Sequence, residues 1–156
     1  MFDETNIRRR GDIVKQLDVK IAKLDEENRI VEGVVYRPSK EFDNEGNPTD
    51  YIDSHGDWAT VEDVKKASHK FMEKLMNTTN IATAGVDKQH NEIGGYGYVV
   101  ENYIAKCDIP EIDVLKDDWV AAIKVTDDTT WNDIKLGNIT GFSIGGTAIY
   151  VEGGEK

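Results

Sequence analysis

One stretch of this chain carries apolar residues at helical spacing over several turns, and the segments around it do not, which limits the fold more than any other feature. Val61, Val64, Ala67, Ser68, Phe71, Met72, Leu75 and Met76 recur on one face of a 3.6-residue period. Thr60, three residues before Asp63, imitates a capping box at its start. Met72 and Met76 continue the stripe and are read as packing rather than as a binding groove. The remaining ordered segments are short, β-branched and punctuated by glycine. Leu17, Val19 and Ile21 alternate with Asp18 and Lys20, and Ile30 to Tyr36 follows after the turn Asp25 to Asn28, so these two are expected to form a hairpin. Further strands are expected at Ile81 to Val86, Tyr96 to Ala105, Trp119 to Thr126 and Ile139 to Val151. Asp127 to Thr130 caps a second, short helix through Trp131, Ile134 and Leu136, with Gly137 placed to close it in the left-handed conformation. Many short strands with two helices and little room for crossovers predict a β-rich α+β fold, an antiparallel β-barrel or curled sheet flanked by helices.

With 156 residues, 38% hydrophobic and 31% charged, the chain can bury one core and is too short for two ordinary domains. Residues 1–12 are polar and expected to be mobile, residues 13–151 to form a single domain, and residues 152–156 to be a tail at which the sequence breaks off. Thirty acidic against 19 basic side chains give a net charge of −11, which repels a phosphate backbone or an anionic membrane surface, so no nucleic-acid or membrane partner is expected. Arg8, Arg9 and Arg10 are followed by no apolar h-region, which predicts a cytosolic protein. The single cysteine, Cys107, reads as a plain thiol, and Lys40 to Asp57 as a long acidic surface loop.

The sharpest local motif is Gly141-Phe142-Ser143-Ile144-Gly145-Gly146, which formally matches the G-x-S-x-G nucleophile elbow. Its context does not: the strand-like Thr147 to Val151 follows where an elbow needs a helix, and His55, His69 and His90 all precede the serine. A chymotrypsin-type double barrel does not fit so short a chain. Read as a strand, the motif puts Phe142 and Ile144 on the inner face and Ser143 on the other, between Gly141 and Gly145, where an extended peptide could approach. The same pattern also suits a glycine-thinned edge strand kept for close packing. A serine nucleophile needs a base. His69 falls on the solvated side of the helix, His55 lies in the acidic loop, and His90, at the end of a strand before Gly94 to Gly97, is the histidine best placed to line a cleft. No metal or nucleotide motif is present: there is no H-x-x-x-H and no second cysteine, and Gly94 to Gly97 has neither a helix nor a lysine at the required offset. No cofactor is therefore expected.

Taken in order, several stretches resemble the phage serine proteases named XkdF, relatives of tailed-phage prohead proteases and, more distantly, of herpesvirus assemblins. These are Val31 to Tyr36; Asp53-Ser54-His55-Gly56-Asp57 leading into Ala67, Ser68, His69 and Phe71; Val86 to Asn91; Val100 to Ile104; Trp119 to Thr126; and Gly141 to Gly146. The resemblance implies a herpesvirus-protease-like β-barrel wrapped by helices, with Ser143 as nucleophile and His90 as general base. It also implies the substrates, phage scaffold and capsid precursors cut inside an immature procapsid in the host cytoplasm, and self-association into a homo-oligomer. In the related prohead proteases an acidic third member lies well downstream of the serine, whereas here only Glu152 and Glu155 follow. Asp87, Glu92 or Glu101 are upstream alternatives for orienting the imidazole, and a dyad is another. Gly145 and Gly146 offer amides near the serine and are left unassigned as oxyanion donors. The competing expectation is a non-catalytic capsid-assembly or protein-binding module on the same fold, docking through its acidic loop.

Overall fold

A computed structural model describes residues 18–76, 97–143 and 148–150. The described strands form two antiparallel sheets. One runs in the order β2-β3-β5-β4, built from Lys23–Asp25, Ile30–Tyr36, Trp119–Val125 and Gly97–Ile104, and the other β1-β6-β7, built from Asp18–Lys20, Ile139–Ser143 and Ala148–Tyr150. Two helices, α1 (Val61–Met76) and α2 (Asp128–Lys135), complete an α+β architecture, and the described strands do not close into a barrel. The expected strand at Ile81 to Val86 lies outside the described residues.

β5 is one of the two inner strands of the four-stranded sheet and is covered on both faces. Trp119, Ala121, Ile123 and Val125 join the main core, while Val120 packs with Ala105, Ile112 and Val114 beneath the sheet. That two-sided burial explains its nearly continuous apolar run, where a strand with one wet face would alternate. α1 buries Val64, Ala67, Ser68 and Phe71, as its period predicts. Phe71 lies 6.1 Å from Trp119, ring centre to ring centre. The buried Ser68 hydroxyl is satisfied by Asn102, whose Nδ2 donates to it at 3.2 Å, while Asn102 Oδ1 accepts from Trp119 Nε1 at 2.7 Å. Met76 departs from the stripe: it is 74% exposed at the last residue of α1.

Both caps form. The Asp63 amide donates to Thr60 Oγ1 at 3.1 Å, and Asp127 Oδ2 accepts from the Thr130 amide at 2.9 Å and its hydroxyl at 2.7 Å. The amide and hydroxyl of Thr130 hold the Asp127 carboxyl below its ordinary pKa. Gly137, at φ +79, closes α2 with its amide on the Ile134 carbonyl and that of Asn138 on Asp133.

Two strand expectations are corrected. The segment from Leu17 to Ile21 does not form a hairpin with Ile30 to Tyr36. β1 pairs with β6 instead, and the separate strand β2 makes the hairpin with β3. The chain changes sheets at Ile21 and Ala22, whose amides donate to Thr140 of one sheet and Glu32 of the other. The crossing passes so close over β3 that a Cβ on Gly33 would lie 1.5 Å from the Lys20 carbonyl oxygen, so only glycine fits. Likewise Ile139 to Val151 is not one strand but a hairpin, β6 returning as β7. A β-branched run shows extended backbone without showing where it folds back on itself.

Candidate active site

β6 is pinned from within. Val19 and Phe142 face each other across the β1–β6 ladder and are 1% and 0% exposed. Ile139 is buried too, although an unbroken pleat would put it opposite Phe142; a register irregularity between Ile139 and Gly141 brings both inward. Ser143 is the last residue of β6, one position beyond Phe142. At Gly141 an added Cβ would come 2.5 Å from the Val19 carbonyl oxygen, so the two strands meet there backbone to backbone. The register partner of Ser143 is Asp18.

His90, Asp87 and Glu92 lie outside the described residues, as do Gly145, Gly146, Glu152 and Glu155. Glu101 is exposed on β4, an edge strand of the other sheet. His69 is exposed on α1 and His55 exposed in the acidic loop, as their sequence positions suggest. Asp18 was not among the sequence candidates. It reads only as the polar member of an alternating strand, and nothing local reveals that this strand pairs with the far end of the chain.

A second group of polar side chains surrounds the C-terminal end of β3. Asp53 Oδ1 accepts the amides of His55 and Asp57, each at 2.9 Å, and Oδ2 accepts the Tyr36 hydroxyl at 3.1 Å. Burial, and then the neighbouring Asp53 carboxylate, raise the Tyr36 pKa well above its ordinary value. Ligand atoms of Asp53, His55 and Asp57 lie within 4.8 Å of one another, the spacing a cation would need. Both oxygens of Asp53 are engaged in folding the loop, however, so the geometry is accounted for by the turn itself. The Ser39 hydroxyl donates to the Tyr51 carbonyl within the loop, and the Ser39 amide closes the loop by donating to the Ala59 carbonyl at 2.8 Å. Arg37 anchors the same strand end: its Nε donates to both oxygens of the fully buried Asp118 at 3.1 Å, and its second nitrogen donates to Oδ2 at 2.9 Å. The Asp118 carboxylate raises the Arg37 pKa still further above neutrality.

Among the described helices none is long and apolar enough to cross a membrane. The family model described as "Putative phage serine protease XkdF" matches residues 18–152. Two Bacillus subtilis (strain 168) proteins are similar. "Uncharacterized protein YqbD" is 37% identical over 145 residues, covering 90% of this chain and 38% of its own length. "Phage-like element PBSX protein XkdF" is 35% identical over 130 residues, covering 81% of this chain and 40% of its own length. The chain thus spans about two fifths of these relatives. No solved structure matches it. With a family model running from β1 past β7 and two relatives aligned over most of the chain, the sequence belongs to the XkdF phage protein family.

Proposed function

We propose that this chain is a serine endopeptidase of the phage prohead type, with Ser143 as nucleophile and His90 as general base. The observation that carries the reading is the family match, which spans residues 18–152 and so includes both positions. The ladder supports it in one respect: Phe142 is locked into the core, and Ser143 follows it as the last residue of β6. In the mechanism His90 takes the hydroxyl proton as Oγ bonds to the scissile carbonyl carbon. The carbon–nitrogen bond then breaks, and the proton passes to the leaving amine. Water attacks the acyl ester, gives its proton to His90, and the serine hydroxyl is restored as the acid departs.

The substrates in this reading are phage scaffold and capsid precursors, cleaved inside an immature procapsid in the host cytoplasm by a self-associating enzyme. The finer fold kinship, to the barrel of prohead proteases and herpesvirus assemblins, belongs to the same proposal. Ser143→Ala is expected to lower cleavage of a co-expressed scaffold protein at least about a thousandfold while leaving the far-UV circular dichroism unchanged. Persistent cleavage removes Ser143 as nucleophile. Failure of a fluorophosphonate probe to label the intact, folded protein favours the non-catalytic assembly module instead.

A further inference from the structure

We propose that the two acidic loops beside the C-terminal end of β3 form a docking surface for an arginine-rich segment of a partner protein. Such docking goes beyond the peptidase reading and needs no part of it. Charge is spread unevenly along the chain. Residues 37–58 and 108–118 hold eleven acidic and three basic side chains, a balance of −8 within a total of −11. Seven of those eleven acids are exposed, so most of the field they create faces water rather than the core.

Both loops fall wholly within the described residues, and they are joined. Arg37 bonds to Asp118 and to the Asp113 carbonyl, while Lys40 donates to the Lys116 carbonyl and lies 3.4 Å from Asp117. Two of the three cations thus hold one loop to the other. Within the first loop, Glu41 to Thr49 fold as a small hairpin: Phe42 bridges Pro48, the Asp43 amide donates to the Asn47 carbonyl at 2.8 Å, and the Thr49 amide to the Glu41 carbonyl at 2.8 Å. Asp43 Oδ1 accepts the amides of Glu45 and Asn47, each at 2.9 Å. The Asn47 amide foremost holds the Asp43 carboxyl below its ordinary pKa, so its charge is present at neutral pH. A surface ordered in this way loses little conformational entropy when a partner lands on it.

Exposed acids are ordinary on a soluble surface, and so is an apolar side chain exposed singly. Here the two coincide. Phe42, set between Glu41 and Asp43, is 39% exposed, and its ring centre lies 5.4 Å from that of Trp58, the planes tilted by 58°. Ile52 is exposed on the same loop. Arginine matches both features: its planar guanidinium pairs with carboxylates and also lies on aromatic faces, which a compact lysine ammonium does less well. The molecule already holds one instance of this mode, since Arg37 forks onto Asp118 while its guanidinium carbon lies 5.8 Å from the Tyr51 ring centre. A basic segment laid over the loops would repeat that arrangement at the surface. The opposed charges would speed the encounter and make it sensitive to salt.

The test is fluorescence anisotropy of labelled nona-arginine and nona-lysine peptides titrated with the full chain at about 150 mM salt. Nona-arginine is expected to bind the more tightly. Glu41→Gln, Glu45→Gln and Glu111→Gln together should weaken it at least about tenfold; the turns of the first loop are held by Asp43, Asp50 and Asp53 instead. Glu26→Gln, Glu27→Gln and Glu73→Gln remove the same charge from exposed positions elsewhere and should stay within about threefold of the unaltered protein. Phe42→Ala should weaken nona-arginine about two- to fivefold and nona-lysine less. If Phe42→Ala does not fold by circular dichroism, Phe42→Leu, which keeps an apolar side chain without a ring, is read in the same way. Equal losses in the two triple variants overturn the docking surface, as the mark of attraction to net charge alone. No binding of nona-arginine by the unaltered protein overturns it, as does binding that ignores the loss of the Phe42 ring. Self-association of the unaltered chain that the Glu41, Glu45 and Glu111 substitutions abolish overturns it too, by giving the loops to a second copy.

Discussion

Asp118 shows how a single side chain can hold two distant segments. It is 0% exposed, and its oxygens are fully engaged: Arg37 forks onto both, and the Leu115 amide donates to Oδ2 at 2.8 Å. The same guanidinium donates to the Asp113 carbonyl at 2.8 Å, so the turn before β5 is bonded to the end of β3. Removing one partner of a buried pair costs more than the pair contributes, since it strands the other charge away from water. Asp118→Asn should therefore lose about 3 kcal/mol of stability, read as a lowered urea midpoint with an unchanged slope. Arg37 retains 22% side-chain exposure, so water can take up part of its charge, which sets the expectation at the lower end of that class. None of this was legible locally. The arginine that pairs with Asp118 follows β3, 81 residues earlier in the chain, and no local pattern links the two. Asp18 escaped notice for the same reason: the sequence shows a residue's character but not its cross-strand partner.

At the scale of elements, what could be read was what is local. The helical period, both caps and the strands β3 and β5 follow from spacing and turn chemistry, and the structure keeps them. What failed were pairings. A period-two pattern says that a segment is a strand without saying which strand it joins, so β1 was given to its sequence neighbour when it belongs with β6. Gly33 was the available clue, a glycine inside an otherwise β-branched strand, the usual mark of a backbone passing close by. Gly33→Ala should force apart the crossing at Lys20 and destabilise the protein by about 3 kcal/mol. Hydrogen exchange would localise the damage: the amides of Ile21 and Ala22, which bond to Thr140 and Glu32, should lose protection before those of β5. Uniform loss across β3 and β5 would count against this local account.

For the molecule as a whole, the two sheets do not keep separate cores. Val19, Ile139 and Phe142 from one sheet lie in the same cluster as Val31, Ile123 and Val125 from the other, with Phe71 of α1 and Trp131 and Ile134 of α2. A shared core predicts that the sheets melt together. Far-UV circular dichroism and the fluorescence of the buried Trp119 and Trp131 should give coincident transitions in denaturant. Two separated midpoints would show that β1-β6-β7 melts independently. The α+β class was readable from the pattern of segments, whereas the division into two sheets was not, because it depends on where the chain crosses between them. The β1–β6 ladder joins the first described strand to one of the last. Contacts so remote along the chain are slow to find, because the entropy of closing the intervening loop is lost before the contact forms. During synthesis on the ribosome β1 meets its ladder partner among the described strands only after β6 has emerged. Asp18 and Ser143 would come into register only at the end of that process, leaving the seam between the first described strand and β6 the last part of the sheet to be sewn shut.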